Sequence, residues 1–206
     1  MKKDRTRLGL VLLPALAFGL WIWAFAVPHG NFWIKISVAA STLAILSRLF
    51  GGPVPLRRMN LRTLYLGLSA AVALYAVFMI GRMAAIHLFG FAHDQIGGIY
   101  AKGTGTPSWV IALLLFFVTG PSEEIFWRGY LQRGLQQRLG NAKGYLLASL
   151  LYAGVHISSM NFMLVGAAGV AGAFWGAFYW RTRNLTAAII SHSVWSTVIF
   201  TIFPLH

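Results

Sequence analysis

The chain contains no cysteine and only four acidic residues among 206. Without cysteine it forms no disulfide, offers no thiol nucleophile and builds no thiolate metal site. The shortage of acid is as selective. Two of the four, Asp4 and Asp94, stand near the N-terminus and in a polar connection, which excludes an intramembrane aspartate dyad. No His-Glu-x-x-His occurs, so the usual zinc-protease helix is absent. No Gly-x-Ser-x-Gly nucleophile elbow occurs either. Charge of both signs is scarce, at 10% of residues against about 25% in a soluble domain.

What is abundant is hydrocarbon: 58% of residues are hydrophobic and 15% aromatic. Apolar stretches of about 18 residues or more read as membrane-spanning helices. Seven are expected, at 8–27, 32–50, 63–81, 108–126, 144–160, 162–180 and 185–203. The predicted fold is an all-α polytopic membrane helix bundle forming one integral membrane domain over 1–206. A three-helix N-terminal part covers 1–91, and a core covers 108–203. Residues 51–62 and 92–107 read as loops. Between Gln132 and Lys143 the chain is basic and amphipathic, which predicts a helix lying along the cytoplasmic interface. The first stretch follows Lys-Lys-Asp-Arg and contains Ala24-Phe-Ala26, like a signal peptide. Its apolar run exceeds the usual 7–15 residues, so a retained helix is expected.

The net charge of +13 invites a nucleic-acid reading, but the basic residues are not gathered on one face or tail. They recur in alternate connections: Lys2, Lys3, Arg5 and Arg7; Arg48, Arg57, Arg58 and Arg62; Arg128, Arg133, Arg138 and Lys143; Arg181 and Arg183. Those groups hold 14 of the 17 basic residues, and only Lys35, Arg82 and Lys102 fall on the other side. No nucleic-acid partner is expected. The positive-inside rule predicts an integral protein of a prokaryotic cytoplasmic membrane, N-terminus cytoplasmic and C-terminus external.

Chemistry concentrates in Thr119-Gly-Pro-Ser-Glu-Glu-Ile-Phe-Trp-Arg-Gly-Tyr-Leu131, which follows an apolar run from Trp109 to Val118. A carboxylate at a helix centre in hydrocarbon costs roughly 2.5–3.5 kcal/mol on the lenient insertion scale, so the adjacent Glu123 and Glu124 need a reason. Pro121 suits a first helical turn, with Ser122 as a cap and both carboxylates near the positive end of the helix dipole. Arg128, four residues after Glu124, supplies a counter-ion on the same face. Glu123 points about a third of a turn away and has no local partner.

Of six histidines, His29, His87, His93 and His206 lie at loops or span ends, where solvated side chains are expected. His156 and His192 fall inside spans. Tyr152 precedes His156 by four residues and Ser196 follows His192 by four, so each pair shares a helix face. At 1.5 Å per residue, His192 lies about 11 Å from the cytoplasmic end of its span and Glu123 somewhat less, whereas His156 lies about 18–20 Å deep. Ala168, Gly172 and Gly176 repeat every four residues, a spacing that lets helix backbones approach closely.

Glu123-Glu124-x-x-x-Arg128, then Tyr152-x-x-x-His156, then His192 resemble the CAAX protease and bacteriocin-processing family of intramembrane proteases, also called CPBP or Abi. The stretch from Gly172 to His192 is similar to that family's third block running into its fourth. The resemblance covers roughly 108–203. Tyr152 stands where phenylalanine is usual, and Ser196 where the family often has asparagine. The resemblance implies an endopeptidase acting on a membrane-anchored protein or peptide: a CAAX-like chain, a peptide precursor or a C-terminal sorting tail. It implies Glu123 as general base, His156 orienting the water, and His192 with Ser196 stabilising the oxyanion. Glu124 and Arg128 would brace the helix. The family has been read both as zinc-dependent and as metal-free. Glu123, His156 and His192 could ligate zinc with one open position, but the lack of a locally spaced metal motif favours no cofactor. The rivals are a proton-coupled transporter, which would predict topological repeats that are not seen, and a non-catalytic immunity or assembly protein.

Overall fold

A computed structural model describes residues 2–205, with side chains from Arg7 to Leu205. His206, and the side chains of Lys2, Lys3 and Arg5 that contribute to the charge pattern, lie outside the described residues. Among the described residues eight helices follow one another: α1 (Lys2–Ala26), α2 (Phe32–Gly51), α3 (Leu61–Leu88), α4 (Ala92–Tyr100), α5 (Ser108–Leu139), α6 (Asn141–Val155), α7 (Phe162–Thr182) and α8 (Leu185–Ile202). Among the described residues there is no strand, and the predicted all-α membrane bundle is the architecture observed.

Six of these helices, all but α4 and α6, are long and apolar enough to cross a bilayer. The seventh expected span, 144–160, is shortened. α6 has 15 residues, about 22 Å, and stops at Val155. A 3₁₀ turn over His156–Ser159 and a left-handed Met160 (φ 52°) follow. The Ser158 hydroxyl donates to the Val155 carbonyl at 3.0 Å, so local side chains end the helix there. Two loop expectations also change. α3 runs to Leu88 rather than 81, and the 92–107 connection contains α4.

The largest correction concerns α5. The predicted interfacial helix after Gln132 does not exist as a separate element, because α5 continues through it for 32 residues. Nor does a helix begin at Pro121. The proline lies inside α5, where two π-helical stretches, Leu114–Thr119 and Ile125–Gln132, flank the Gly-Pro-Ser-Glu-Glu turn. The wider π turn bonds Gly120 N–H to the Leu115 carbonyl, which accommodates a residue that would otherwise break the ladder. Glu123 and Glu124 therefore sit mid-helix, away from any dipole end. Ser122 does not cap; its hydroxyl lies 3.5 Å from that of Ser41 on α2.

The bundle is apolar inside and out. Leu13, Ala17 and Trp21 of α1 pack with Phe126, Trp127 and Leu131 of α5, while Val11, Ile45, Val72 and Leu150 are exposed. With hydrocarbon on both sides, close packing of small residues replaces the hydrophobic effect as the cement. Gly67 of α3 lies against Ile190 and the Ala187 carbonyl of α8, and Gly144 of α6 against the Gln136 backbone of α5. The predicted Ala168/Gly172/Gly176 face is such a contact: Gly172 meets Tyr152 and Gly176 meets Tyr145.

Hydrogen bonds define the two ends of the bundle. At one, Arg57 reaches Thr186 and the Arg183 carbonyl, and Arg183 reaches Gln136 and Asn141. At the other, Asn31 donates to Thr106, Trp33 Nε1 to the Lys102 carbonyl, and Tyr100 to the Ile199 carbonyl.

Candidate active site

The unusual extension of α5 brings the chemistry to one level. Glu123 lies 16 residues above the end of α5 at Leu139, about 24 Å, and His156 lies 15 residues beyond the start of α6, about 22 Å. α8 begins inside the bundle: Leu185 is fully buried, and Gly129 of α5 faces its side chain. Gly129 is about 15 Å above the end of α5, so His192, about 11 Å further along α8, reaches the same level. The depth mismatch expected from the sequence disappears.

Glu124, Arg128 and Gln132, spaced by four on α5, face the glycine stripe of α7. Arg128 Nη1 donates to Glu124 Oε1 at 2.8 Å and Nη2 to the Gly172 carbonyl at 3.3 Å. Gln132 donates to the Gly176 carbonyl at 2.8 Å. Glycine at 172 and 176 keeps those carbonyls within reach. The Arg128 guanidinium also lies over the rings of Tyr152 and Trp175, 4.7 and 5.5 Å from their centroids. The predicted i,i+4 pair is present, fully buried, and held by three further helices.

Glu124 carries a second partner that local spacing could not show. His192 Nδ1 lies 2.8 Å from the same Oε1, and a carboxylate only accepts, so Nδ1–H is the donor. The imidazole stacks on Trp175 with 3.8 Å between ring centroids and 14° between planes. The indole Nε1 of Trp175 is itself anchored on Ser191 Oγ at 3.1 Å. His192 is thus fixed in plane and tautomer, leaving Nε2 as its remaining polar atom.

His156 is fixed differently. Its Nδ1–H donates to the Tyr152 carbonyl at 2.8 Å, and its Nε2 accepts from Trp21 Nε1 at 3.3 Å. Trp21, wholly buried in α1, is a site residue the sequence did not signal, since its only local context is apolar. Trp175 lay inside the block that carried the family resemblance but showed no role until its ring was seen against His192.

Glu123 is 6% exposed, and its Oε2 is buried without a hydrogen bond. Its neighbours are the Tyr152 hydroxyl, His192, Arg128 and Glu124. Glu123, Tyr152, His156, His192 and Ser196 all line one cavity of about 450 Å³, and Glu124 and Arg128 lie behind its wall. Ser196 donates its hydroxyl hydrogen to the His192 carbonyl at 2.7 Å, so its Oγ faces the cavity as an acceptor.

Among the described residues no three histidine or acidic side chains gather into a set that could hold a metal ion. Both His156 nitrogens are engaged within the protein, whereas His192 gives Nδ1 to Glu124 and keeps Nε2 unengaged.

Residues 105–198 match the family model described as Type II CAAX prenyl endopeptidase Rce1-like. The matched segment begins just before α5 and ends in α8, and so contains every polar residue of the cavity floor. No curated protein and no solved structure matches the chain. Embedded in a bundle of membrane-spanning helices, this segment is similar to the type II CAAX prenyl endopeptidases, a family of peptide hydrolases.

Proposed function

We propose that this protein cleaves a peptide bond of a membrane-anchored chain with water activated by Glu123, without a metal. The observation that carries this reading is a buried carboxylate with a bare oxygen, facing a cavity that two oriented histidines also line. Glu123 takes a proton from water, and the oxygen adds to the carbonyl carbon. His156, pinned through Nδ1 by the Tyr152 carbonyl, orients that water once its Nε2 exchanges the Trp21 N–H for a water O–H.

Negative charge then grows on the carbonyl oxygen. His192, in its cationic form, donates Nε2–H to it. Glu123 returns its proton to the leaving nitrogen as the C–N bond breaks. Ser196 assists only after its hydroxyl turns from the His192 carbonyl, so His192 is the main oxyanion donor. Glu124 and Arg128 act through His192 and α5, as positioning residues.

The test is Glu123→Gln, which keeps shape but cannot accept the proton. Cleavage of a membrane-anchored reporter by the purified enzyme falls by at least about 10²–10⁴-fold, the usual contribution of a general base. Full activity in a folded Glu123→Gln protein eliminates the mechanism.

A further inference from the structure

Every wall of the cavity comes from the end of the bundle opposite the basic loops. α1 contributes Phe25, α2 contributes Trp33, and the connection after α4 contributes Lys102. The floor lies at Glu123 and His192. From there to the basic end, α5 continues for another 16 residues, and the Arg57–Arg183–Gln136 bonds tie the helices together at that end. The basic end is the one the positive-inside rule assigns to the cytoplasm.

The α3 wall is also one-sided. Its buried residues are Thr63, Gly67, Ala70, Ala71 and Leu74, so the half nearer the basic end packs on α8. Beyond Leu74 no residue of α3 is buried, and its inner face (Phe78, Gly81, Ala85) lines the cavity opposite Gly166 and Ala167 of α7. A Cβ added at Gly81 or at Gly166 meets nothing within 4 Å. Apart from Arg82 on the α3 side, the space between these two half-helices is apolar, and wide enough for side chains other than the protein's own.

Two cations line this cavity, Arg82 of α3 and Lys102, and Lys102 stands at the mouth. Lys102 Nζ lies 5.3 and 5.1 Å from the ring centroids of Phe25 and Phe32, and its backbone is pinned by Trp33. Among the described residues it faces no carboxylate. Asp94 stands beside His93, Glu124 is taken by Arg128 and His192, and Glu123 lies on the floor. Burial, with Lys35 nearby, holds the Lys102 pKa below the ordinary lysine value. An ammonium packed on aromatic rings beside another cation gains from an incoming anion.

We propose that the cavity takes its substrate from the extracytoplasmic face, laying the apolar part of a membrane-anchored chain between the outer halves of α3 and α7 and an acidic flank against Lys102. This rests on the peptidase reading above. It narrows the substrate class to chains exposed on the outer surface whose cleavage region joins an apolar segment to an acidic one.

The absence of cysteine makes the direction measurable. Thr104→Cys, exposed near the mouth, and Leu139→Cys, exposed at the basic end, are treated in intact bacterial cells with a membrane-impermeant maleimide. The expected result is labelling of Thr104→Cys in intact cells and of Leu139→Cys only after the membrane is opened. The reverse pattern overturns the proposal. The purified enzyme is then given two reporters that differ only in an acidic or a basic flank beside the apolar segment. The wild type favours the acidic flank by roughly two- to fivefold in KM, the size of a partly exposed ion pair, with kcat little changed. Lys102→Gln removes the preference and Lys102→Glu inverts it. A preference unaltered in both variants overturns the assignment of Lys102 while the peptidase reading stands. If the wild type cleaves neither reporter, nor any other membrane-anchored peptide, both readings fall together.

Discussion

Glu124 and His192, 68 residues apart in sequence, meet at 2.8 Å through the same carboxylate oxygen that receives Arg128. One buried oxygen thus joins α5 to α8 and couples the charge of an arginine to the orientation of a histidine. The second-site carboxylate is as much a part of the candidate site as the one facing the cavity.

A double-mutant cycle measures that joint. Glu124→Gln and His192→Asn each lower cleavage, and the double variant loses less than the sum, with a coupling of about 1–3 kcal/mol as for contacting residues in one network. Additive losses show that the 2.8 Å contact plays no part in function.

Arg128→Ala leaves Glu124 as a buried charge with its main counter-ion gone, at a cost of about 3–5 kcal/mol. The variant accumulates poorly and melts earlier in detergent. Arg128→Lys recovers only part, because an ammonium does not reach both Glu124 and the Gly172 carbonyl in the planar geometry of a guanidinium. Wild-type melting of Arg128→Ala removes the pair from the account of stability.

Two glycines separate packing from propensity. At Gly144 an added Cβ falls 2.3 Å from the Gln136 backbone nitrogen, so Gly144→Ala forces α5 and α6 apart and costs roughly 1–3 kcal/mol. At Gly166 the same atom meets nothing, and Gly166→Ala is neutral or gains up to about 1 kcal/mol from helix propensity. Equal melting temperatures for the two variants contradict the close approach of α5 and α6.

Prolonged treatment with a chelator strong enough to strip a three-ligand zinc site leaves cleavage unchanged, because both His156 nitrogens are held by Tyr152 and Trp21. Inhibition that added zinc reverses transfers Glu123, His156 and His192 from acid–base roles to ligands.

Much of this protein is decided by composition and spacing alone. Scarce charge and long apolar runs leave a membrane helix bundle as the only stable way to pair every backbone polar group. The four-residue interval between Glu124 and Arg128 sets their ion pair, since helical neighbours need no tertiary partner. The small residues at 168, 172 and 176 mark a packing face for the same reason. What spacing could not decide is where helices stop. The apolar run through 144–160 breaks at His156, and α5 runs unbroken past Pro121 because a π turn absorbs the missing N–H. Hydropathy is blind to both events: it reports solvent preference, and hydrocarbon solvates a broken and an unbroken helix with similar side chains. Nor could the sequence place Trp21 on His156, Trp175 on His192, or His192 on Glu124. Those contacts join residues on different helices, and only the depth at which α8 begins, set by Leu185 against Gly129, brings the two histidines level with the glutamate.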